Sequence, residues 1–257
     1  MKHLAIKIAY LGDGFSGSQI QPLSRTVEGE VLDNLMLITK LSEEELQLRF
    51  SSRTDKGVNA LGNVFSVHSN LEGHTLLKAL NAVSDGVFYR SYSEVPDDFN
   101  VRHASGRRYR YILPSNGQDI DVAKDCAALF IGEHDFLRFC RPDGKPTRVT
   151  IDSISVETKD DTLVLEYEAR FFLWNMIRRM TAAIDDVARG HSTLDDVRRA
   201  LDGEEITFGV SRPDALTLLD VRYDWLEFTP YDGNGIDFRK KEGIFSCDLR
   251  RDFYKSL

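Results

Sequence analysis

Apolar residues along the first part of the chain follow two periods in turn. They alternate with polar residues over 3–10, which predicts a half-buried strand. They then recur at helical spacing over 27–38, where Thr26 can cap the helix. The same periods predict strands near 46–50, 64–68 and 87–92, and a short helix over 76–83. The predicted order of elements is β-α-β-β-α-β.

A second series follows the turn-like sequence VPDDFN. It predicts strands at 107–113, 148–157, 162–171 and 216–223, helices at 122–131 and 173–187, and a short helix capped by Ser192 with Asp195. Gly190 is placed to end the long helix, and the tail from Trp225 has no clear pattern. The order is again β-α-β-β-α-β, with an extra helix. The sequence therefore predicts an α+β fold of two ferredoxin-like halves, residues 1–104 and 105–257.

Composition excludes several classes of protein. With 257 residues, of which 42% are hydrophobic and 29% charged, the chain is neither disordered nor of low complexity. Its apolar runs are shorter than the roughly 20 residues of a membrane-spanning helix, and its start does not resemble a secretory signal, so we expect a cytoplasmic protein with no membrane partner. The three cysteines lack disulfide or metal-site spacing and are expected to be free thiols: Cys126, Cys140 and Cys247.

The net charge of −8 argues mildly against a nucleic-acid partner, but residues 101–111 form a basic patch. This segment holds four arginines and a histidine together with Tyr109 and Tyr111, and cations beside aromatic rings can bind phosphates and stack unpaired bases. On a strand, the two tyrosines share one face while Arg108 and Arg110 share the other. An amphipathic strand with tyrosines in the core explains the pattern equally well.

The segment SSRTDKGVNA, residues 51–60, places Arg53, Asp55 and Lys56 in a loop between two predicted strands. A carboxylate between cations keeps its charge and can act as a nucleophile or a base. The physics alone favours a simpler alternative, an ion-paired turn in which Thr54 and Asp55 cap the backbone and Gly57 adopts positive φ.

The segment 171–180 carries an apolar strand end into the long helix, with Arg178 and Arg179 in the early turns. Positive charge opposes the helix dipole there, so at least one arginine is expected to meet a carboxylate or a phosphate, and Asp55 is a candidate partner. The alternative is that both arginines extend into solvent from an amphipathic helix.

Taken together, these segments resemble the tRNA pseudouridine synthase A family, and the resemblance covers most of the chain. Arg53-Thr54-Asp55-x-Gly57-Val58 resembles the family signature RTDxGV, which is highly specific. Four further motifs match: Tyr10-x-Gly12-Asp13-Gly14-Phe15-x-Gly17, Val95-Pro96-x-x-Phe99 with Arg102 and Ala104, Arg108-Tyr109-x-Tyr111, and Phe172-Leu173 through Met176-x-Arg178. Ser52, Lys56 and Asn59 differ from the bacterial pattern, and Lys56 is more similar to archaeal or eukaryotic branches.

The resemblance implies an isomerase that converts uridine to pseudouridine in the tRNA anticodon stem-loop, at positions 38–40, without a cofactor or metal. It implies that Asp55 is the nucleophile, that Tyr109 stacks near the base or transfers a proton, and that Arg178 holds the carboxylate. The remaining substrate-binding residues expected on this basis are Arg53, Thr54, Lys56, Arg107, Arg108, Arg110 and Tyr111. It also implies a central cleft between the two halves, and a homodimer in which one tRNA contacts both subunits.

Two other classes of function fit parts of the sequence. A non-catalytic RNA-binding module could present aromatic residues on a ferredoxin-like sheet, but an RNP1-like aromatic string is missing and such a module has no use for Asp55. A metal-dependent hydrolase could use Glu133-His134-Asp135, but three adjacent residues cannot all face one ion. We expect that segment to begin a helix, with Asp135 as its cap.

Overall fold

The computed structural model describes residues 1–257 and contains one continuous sheet of ten strands. The strands are β1 (Lys2–Tyr10), β2 (Arg49–Phe50), β3 (Asn59–Ser69), β4 (Val87–Glu94), β5 (Gly106–Pro114), β6 (Gly132–Asp135), β7 (Arg148–Lys159), β8 (Thr162–Ala169), β9 (Leu216–Arg222) and β10 (Thr229–Pro230). Their order across the sheet is β10-β4-β1-β3-β9-β5-β8-β7-β6, and β2 also pairs with β3.

Seven α-helices accompany the sheet, which confirms the predicted α+β class. They are α1 (Val27–Thr39), α2 (Glu43–Leu46), α3 (Gly73–Val83), α4 (Ile120–Ala128), α5 (Met176–Ala188), α6 (Leu194–Leu201) and α7 (Asn234–Lys255). The buried apolar residues of both halves form a single core. None of the helices has the length and apolar content needed to cross a membrane.

A short parallel pairing of β3 with β9 joins the strands of residues 1–104 to those of residues 105–257 near the middle of the sheet. Only two residue pairs form it, Asn59 with Thr217 and Ala60 with Leu218, while every other strand pairing is antiparallel. The paired residues Asn59 and Ala60 come directly after the loop that carries Asp55. This loop therefore lies at the contact between the two halves.

The strand β1 was predicted to be half-buried, but it is buried on both faces. Leu4, Ile6 and Ile8 are inaccessible, and Lys7 on the opposite face is itself partly covered. Its ammonium group lies 2.5 Å from a carboxylate oxygen of Asp220 and 4.7 Å from the centre of the Phe228 ring. Asp220 and Phe228 therefore cover the face of β1 that the alternating pattern predicted to be exposed to solvent.

Several predicted boundaries are wrong for local reasons. The expected strand over 46–50 is reduced to Arg49–Phe50, because Ser42 and Glu45 form a capping box that begins α2. Residues 133–135 belong to the strand β6 instead of beginning a helix, although Asp135 does accept the Leu137 N–H at the following 3-10 turn.

Other differences concern ends and caps. The helix expected at 173–187 begins only at Met176, and α6 is capped by Thr193 with Asp196 in place of Ser192 with Asp195. The tail after Trp225, which had no clear pattern, forms β10 on the edge of β4 and then α7. The three cysteines are free thiols, as predicted, with only Cys247 exposed.

Candidate active site

A cleft of about 1270 Å³ opens where the loop 51–58 meets the strand β5 and the start of α5. We refer to it as the central cleft. It is lined by Asp55 and its neighbours from the first half, and by Arg107, Tyr109 and residues 171–178 from the second half. The structure thus brings together the three segments that the sequence singled out.

Thr54 fixes the loop that carries Asp55. Its side chain is buried, with Oγ1 2.9 Å from the Tyr10 hydroxyl. Its N–H donates to Ser18 Oγ at 2.8 Å, and its carbonyl accepts the Ser18 N–H at 3.0 Å. Gly57, at φ +85°, then lets the chain turn so that the Val58 N–H closes on the Asp55 carbonyl. These contacts hold the backbone on either side of Asp55.

Gly12 packs closely against the backbone of the loop that carries Asp55. A Cβ atom at this position would lie 2.4 Å from the Gly57 carbonyl carbon and from the Val58 oxygen, which is closer than real contacts allow. Its N–H donates to Asn59 Oδ1 at 2.9 Å. The glycine of the first-strand motif is therefore required by the close approach of two loops.

The two oxygens of the Asp55 carboxylate have different partners. Oδ1 accepts a hydrogen bond from Trp174 Nε1 at 3.1 Å, and Oδ2 lies 3.6 Å from Arg178 Nη1. The Asp55 side chain is 37% exposed and the Arg178 side chain only 16%, so the carboxylate faces the cleft while its cation lies behind it. A ligand in the cleft can reach the carboxylate without displacing the arginine.

Arg178 is itself held in place by the start of α5. Its Nε donates to the Ser211 carbonyl at 2.7 Å, and its Nη1 donates to Asn175 Oδ1 at 3.0 Å. Asn175 has the left-handed conformation, φ +62°, which turns the chain into the helix. Arg178 therefore meets the carboxylate expected from its unfavourable place in the first turn. Arg179 does not line the cleft, and its Nε is buried without a partner.

Trp174 is a site residue that the sequence reasoning missed. Besides its bond to Asp55, its ring lies 4.0 Å from the Arg141 guanidinium, and its carbonyl accepts the Arg141 N–H at 2.8 Å. Trp174 lies within the segment 171–180 that the sequence analysis had already singled out. An isolated tryptophan there is ordinarily a packing residue, however, and nothing local points to Asp55.

Tyr109 lines the cleft with almost all of its surface buried. Only 7% is exposed, and the ring packs edge-on against Phe172 with centroids 5.3 Å apart. Burial raises the pKa of the Tyr109 phenol, and no side-chain hydrogen bond offsets this. The phenol therefore keeps its proton and has free hydrogen-bonding capacity at the cleft wall.

Arg107 ties the second half to the Asp55 loop. Its Nε donates to Ser52 Oγ at 2.9 Å, and its Nη2 donates to the Ser51 carbonyl at 3.2 Å. Burial lowers the pKa of the Arg107 guanidinium from its ordinary value. Its contacts are with protein, so its effect on the cleft runs through the position of the loop.

Three of the expected substrate-binding residues do not line the cleft. Arg108 is exposed outside it, and Arg110 forms an ion pair with Glu166 at 2.6 Å. Tyr111 is fully buried, with its hydroxyl donating to the Arg212 carbonyl at 2.7 Å. The core interpretation of the tyrosine strand thus holds for Tyr111, while Tyr109 reaches the cleft.

The central cleft is cationic although the protein as a whole is acidic. Only three carboxylates line it: Glu28, Asp55 and Asp143. Burial raises the pKa of the Glu28 carboxyl. The cationic residues that line it are Arg49, Arg53, Lys56, Arg102, Arg107, Lys145, Arg148 and Arg178. Such a cleft attracts polyanions.

One cluster with metal-ligating side chains lies outside the cleft. His3, His68 and Asp97 have ligand atoms within 4.8 Å of one another. The two imidazole rings are stacked, with centroids 4.3 Å apart and planes at 9°. A metal lies in the plane of each imidazole that binds it, so these two nearly parallel rings cannot share an ion in this arrangement.

Comparison with known proteins places the chain among the pseudouridine synthases: a family model described as "tRNA pseudouridine synthase" matches residues 126–224, and curated relatives of that class align with most of the chain. The chain is 39% identical to tRNA pseudouridine synthase A of Pyrococcus abyssi over 88% of this chain and 86% of that protein. It is 40% identical to the Pyrococcus horikoshii protein of the same name, over 92% and 91%. The chain belongs to the tRNA pseudouridine synthase A family, which confirms the resemblance and its archaeal character.

A more distant archaeal relative agrees with this assignment. The tRNA pseudouridine synthase A of Archaeoglobus fulgidus is 36% identical over 89% of this chain and 86% of that protein. Among solved structures, a chain of "Crystal Structure of a Cbf5-Nop10-Gar1 Complex" aligns with 71% of this chain and 44% of its own length, at 14% identity and a TM-score of 0.38.

Proposed function

We propose that this protein isomerises uridine to pseudouridine in the anticodon stem-loop of tRNA, at positions 38–40, with Asp55 as the nucleophile and no cofactor. The observation that carries the proposal is the Asp55 carboxylate, held by Trp174 and Arg178 but open to a cationic cleft. Family membership supports the reaction class, and the geometry supports the choice of residue.

The reaction exchanges one glycosidic bond for another within the same nucleotide. The bond from ribose C1′ to uracil N1 breaks, the held base rotates, and C1′ joins C5. The hydrogen on C5 leaves as a proton, and N1 gains one, so atoms and charges balance. Asp55 supplies the nucleophile during the exchange, and Arg178 supplies the compensating charge.

Each remaining task is assigned to a residue that can reach the cleft. The target nucleotide must leave its stack, and Tyr109 offers it a ring edge and an unpaired hydroxyl. Arg53 and Lys56 are exposed at the cleft and form no ion pair within the protein, so they are free to bind phosphates. Thr54 and Arg107 act by positioning the loop, since their polar atoms already bond to protein groups.

Three further properties belong to this proposal. Each half is a ferredoxin-like unit, which the strand orders β4-β1-β3-β2 and β9-β5-β8-β7 support. The protein acts as a homodimer, and it acts in the cytoplasm. Family resemblance supports the homodimer, and composition supports the location.

Tritium release from tRNA labelled at uracil C5 tests the chemistry directly. Wild type should release tritium, whereas Asp55→Ala should lower the rate by about 10³-fold or more, which is about 4 kcal/mol of transition-state stabilisation. The tRNA should still bind. Asp143→Asn, which removes another carboxylate of the same cleft, is the matched control and should retain turnover. Binding without release by wild type would favour the RNA-binding module.

A second pair of variants separates the ring of Tyr109 from its hydroxyl. Because the hydroxyl has no protein partner, we expect Tyr109→Phe to fold normally yet lose most turnover, while tRNA binding is kept. Tyr111→Phe is the control, since its hydroxyl bonds to the Arg212 carbonyl outside the cleft. Equal turnover by Tyr109→Phe and wild type would limit Tyr109 to stacking.

A further inference from the structure

Arg141 is an exposed cation beside the central cleft, and it has no carboxylate partner. The other basic side chains of the segment 138–148 each form an ion pair: Arg138 with Glu205, Lys145 with Asp143, and Arg148 with Glu133. The Arg141 side chain forms neither an ion pair nor a hydrogen bond with the protein. Its N–H donors are therefore free to bind an anion.

The one side-chain contact of Arg141 is with the indole of Trp174. The guanidinium lies over the ring, 4.0 Å from its centre, and the main-chain N–H of Arg141 donates to the Trp174 carbonyl at 2.8 Å. Contact with the ring face leaves the N–H groups at the edge of the guanidinium unoccupied. A phosphate can therefore bind to that edge through two hydrogen bonds while the contact with the indole is kept.

The Trp174 indole connects Arg141 to the Asp55 carboxylate. Its ring face meets the guanidinium, and its Nε1 donates to Asp55 Oδ1 at 3.1 Å. The tryptophan is 45% exposed, so packing against the body of the protein does little to hold the ring plane. Because an indole is rigid, a tilt at its face also moves the N–H at its edge. The position of the Arg141 side chain thus affects the donor that meets Asp55.

We propose that Arg141 binds a phosphate of the RNA backbone next to the target nucleotide and, through Trp174, positions the Asp55 carboxylate. This inference rests on the proposed function, since it takes RNA as the ligand and Asp55 as the nucleophile. When the target uridine lies at Asp55, the phosphates of its neighbours pass the rim of the cleft, where Trp174 and Arg141 lie. A phosphate on one side and the indole on the other then hold the guanidinium. The nucleophile is aligned when the RNA is bound correctly.

Two substitutions of Arg141 separate its charge from its contact with the indole. Arg141→Gln removes both, so kcat should fall by about two- to fivefold, the range of an exposed cation–π contact. The slope of log Kd for tRNA against log salt should also decrease by about one. Arg141→Lys keeps the charge but packs poorly on the ring, so we expect the wild-type salt slope with the lowered kcat. A lysine variant with wild-type kcat would overturn the positioning role.

Arg198→Gln is the matched control for both measurements. Arg198 is also an exposed arginine without an ion pair, but it lies on α6, outside the cleft. This variant should change neither kcat nor the salt slope. A slope that stays at the wild-type value in Arg141→Gln, as it does in the control, would overturn the phosphate contact.

Combining Arg141→Gln with Trp174→Phe tests whether the arginine acts through the indole N–H. The phenylalanine keeps a ring beside Arg141 but has no donor for Asp55. Arg141→Gln should therefore lower kcat no further in this background, while it still reduces the salt slope. Losses in kcat that multiply in the double variant would show that the two residues act independently, and would overturn the inference.

Time-resolved fluorescence anisotropy tests the same link without any turnover. In a Trp225→Phe background, Trp174 is the only tryptophan. Bound tRNA should remove the fast rotational component of the indole when Arg141 is present, and should leave most of it in Arg141→Gln at saturating tRNA. Equal loss of that component in both proteins would overturn the inference even if tritium release is normal. Failure of the proposed function would differ, because tritium release would be missing while tRNA still fixes the indole through Arg141.

Discussion

Trp174 and Asp55 are 119 residues apart in the chain, yet the indole N–H donates to the carboxylate Oδ1 at 3.1 Å. Arg178 approaches the other oxygen, Oδ2, at 3.6 Å. A neutral donor on one oxygen and a cation on the other fix the rotation of the carboxylate about its Cβ–Cγ bond. The tryptophan therefore determines which edge of the carboxylate is presented to the cleft.

Replacing Trp174 with phenylalanine removes the donor but keeps an aromatic ring beside Arg141. A hydrogen bond to a charged group contributes about 1.5–3 kcal/mol, and partial exposure of Asp55 lets water replace some of it. We expect kcat to fall by about tenfold, with KM for tRNA nearly unchanged. Trp225→Phe, at an exposed tryptophan outside the cleft, is the control. A rise in KM alone would show that Trp174 binds RNA instead.

Arg178→Lys keeps the positive charge but loses the planar fork. The lysine cannot bond to the Ser211 carbonyl, to Asn175 and to Asp55 at once, so the carboxylate should become mobile. We expect kcat to drop by about 10- to 100-fold, equivalent to about 1.4–2.7 kcal/mol. Arg189→Lys, at the other end of α5, should leave kcat as it was. Full activity of Arg178→Lys would reduce its role to charge alone.

Gly12→Ala tests the close approach of the two loops. The added Cβ meets the backbone of Gly57 and Val58 at 2.4 Å, so the loop carrying Asp55 must move. We expect the free energy of unfolding to fall by about 1–3 kcal/mol, together with a loss of turnover. Gly14→Ala, in the same turn, meets only Arg25 Nη1 at 3.9 Å and is the matched control. Equal effects of the two substitutions would contradict the argument.

His68 should make the protein less stable in mild acid. Burial lowers the pKa of His68 from its usual 6.5, and stacked His3 and the chain amino group act in the same direction, while Asp97 opposes them. The unfolded state therefore binds more protons below about pH 6.5, and the free energy of unfolding falls as the pH falls towards the folded pKa. His68→Phe should flatten this slope in urea unfolding between pH 7 and 5. An unchanged slope would assign the effect to other groups.

Local sequence patterns were sufficient to predict most helices and strands, and to single out the loop that carries Asp55. Periodicity located β1, α1 and α5 to within a few residues, and the residue types at 53–57 marked the loop. The features that the sequence did not predict depend on contacts between residues far apart in the chain, or on local hydrogen bonds that compete with the expected element. Trp174 gains its role from a residue far away in sequence, and the Ser42 capping box competes with a strand that alternation alone favours. No residue of α7 is buried, so its apolar positions did not produce the pattern of a helix that packs on a core.

The short parallel joint between β3 and β9 has a consequence for how activity arises during synthesis. Asp55 comes from the first half, whereas Trp174, Arg178 and Tyr109 all come from the second. A nascent or truncated chain that ends before the second half carries the Asp55 carboxylate without its counter-charge. If the proposed mechanism is correct, such a product should not convert uridine, and conversion should begin only after residues 105–222 have folded against the Asp55 loop.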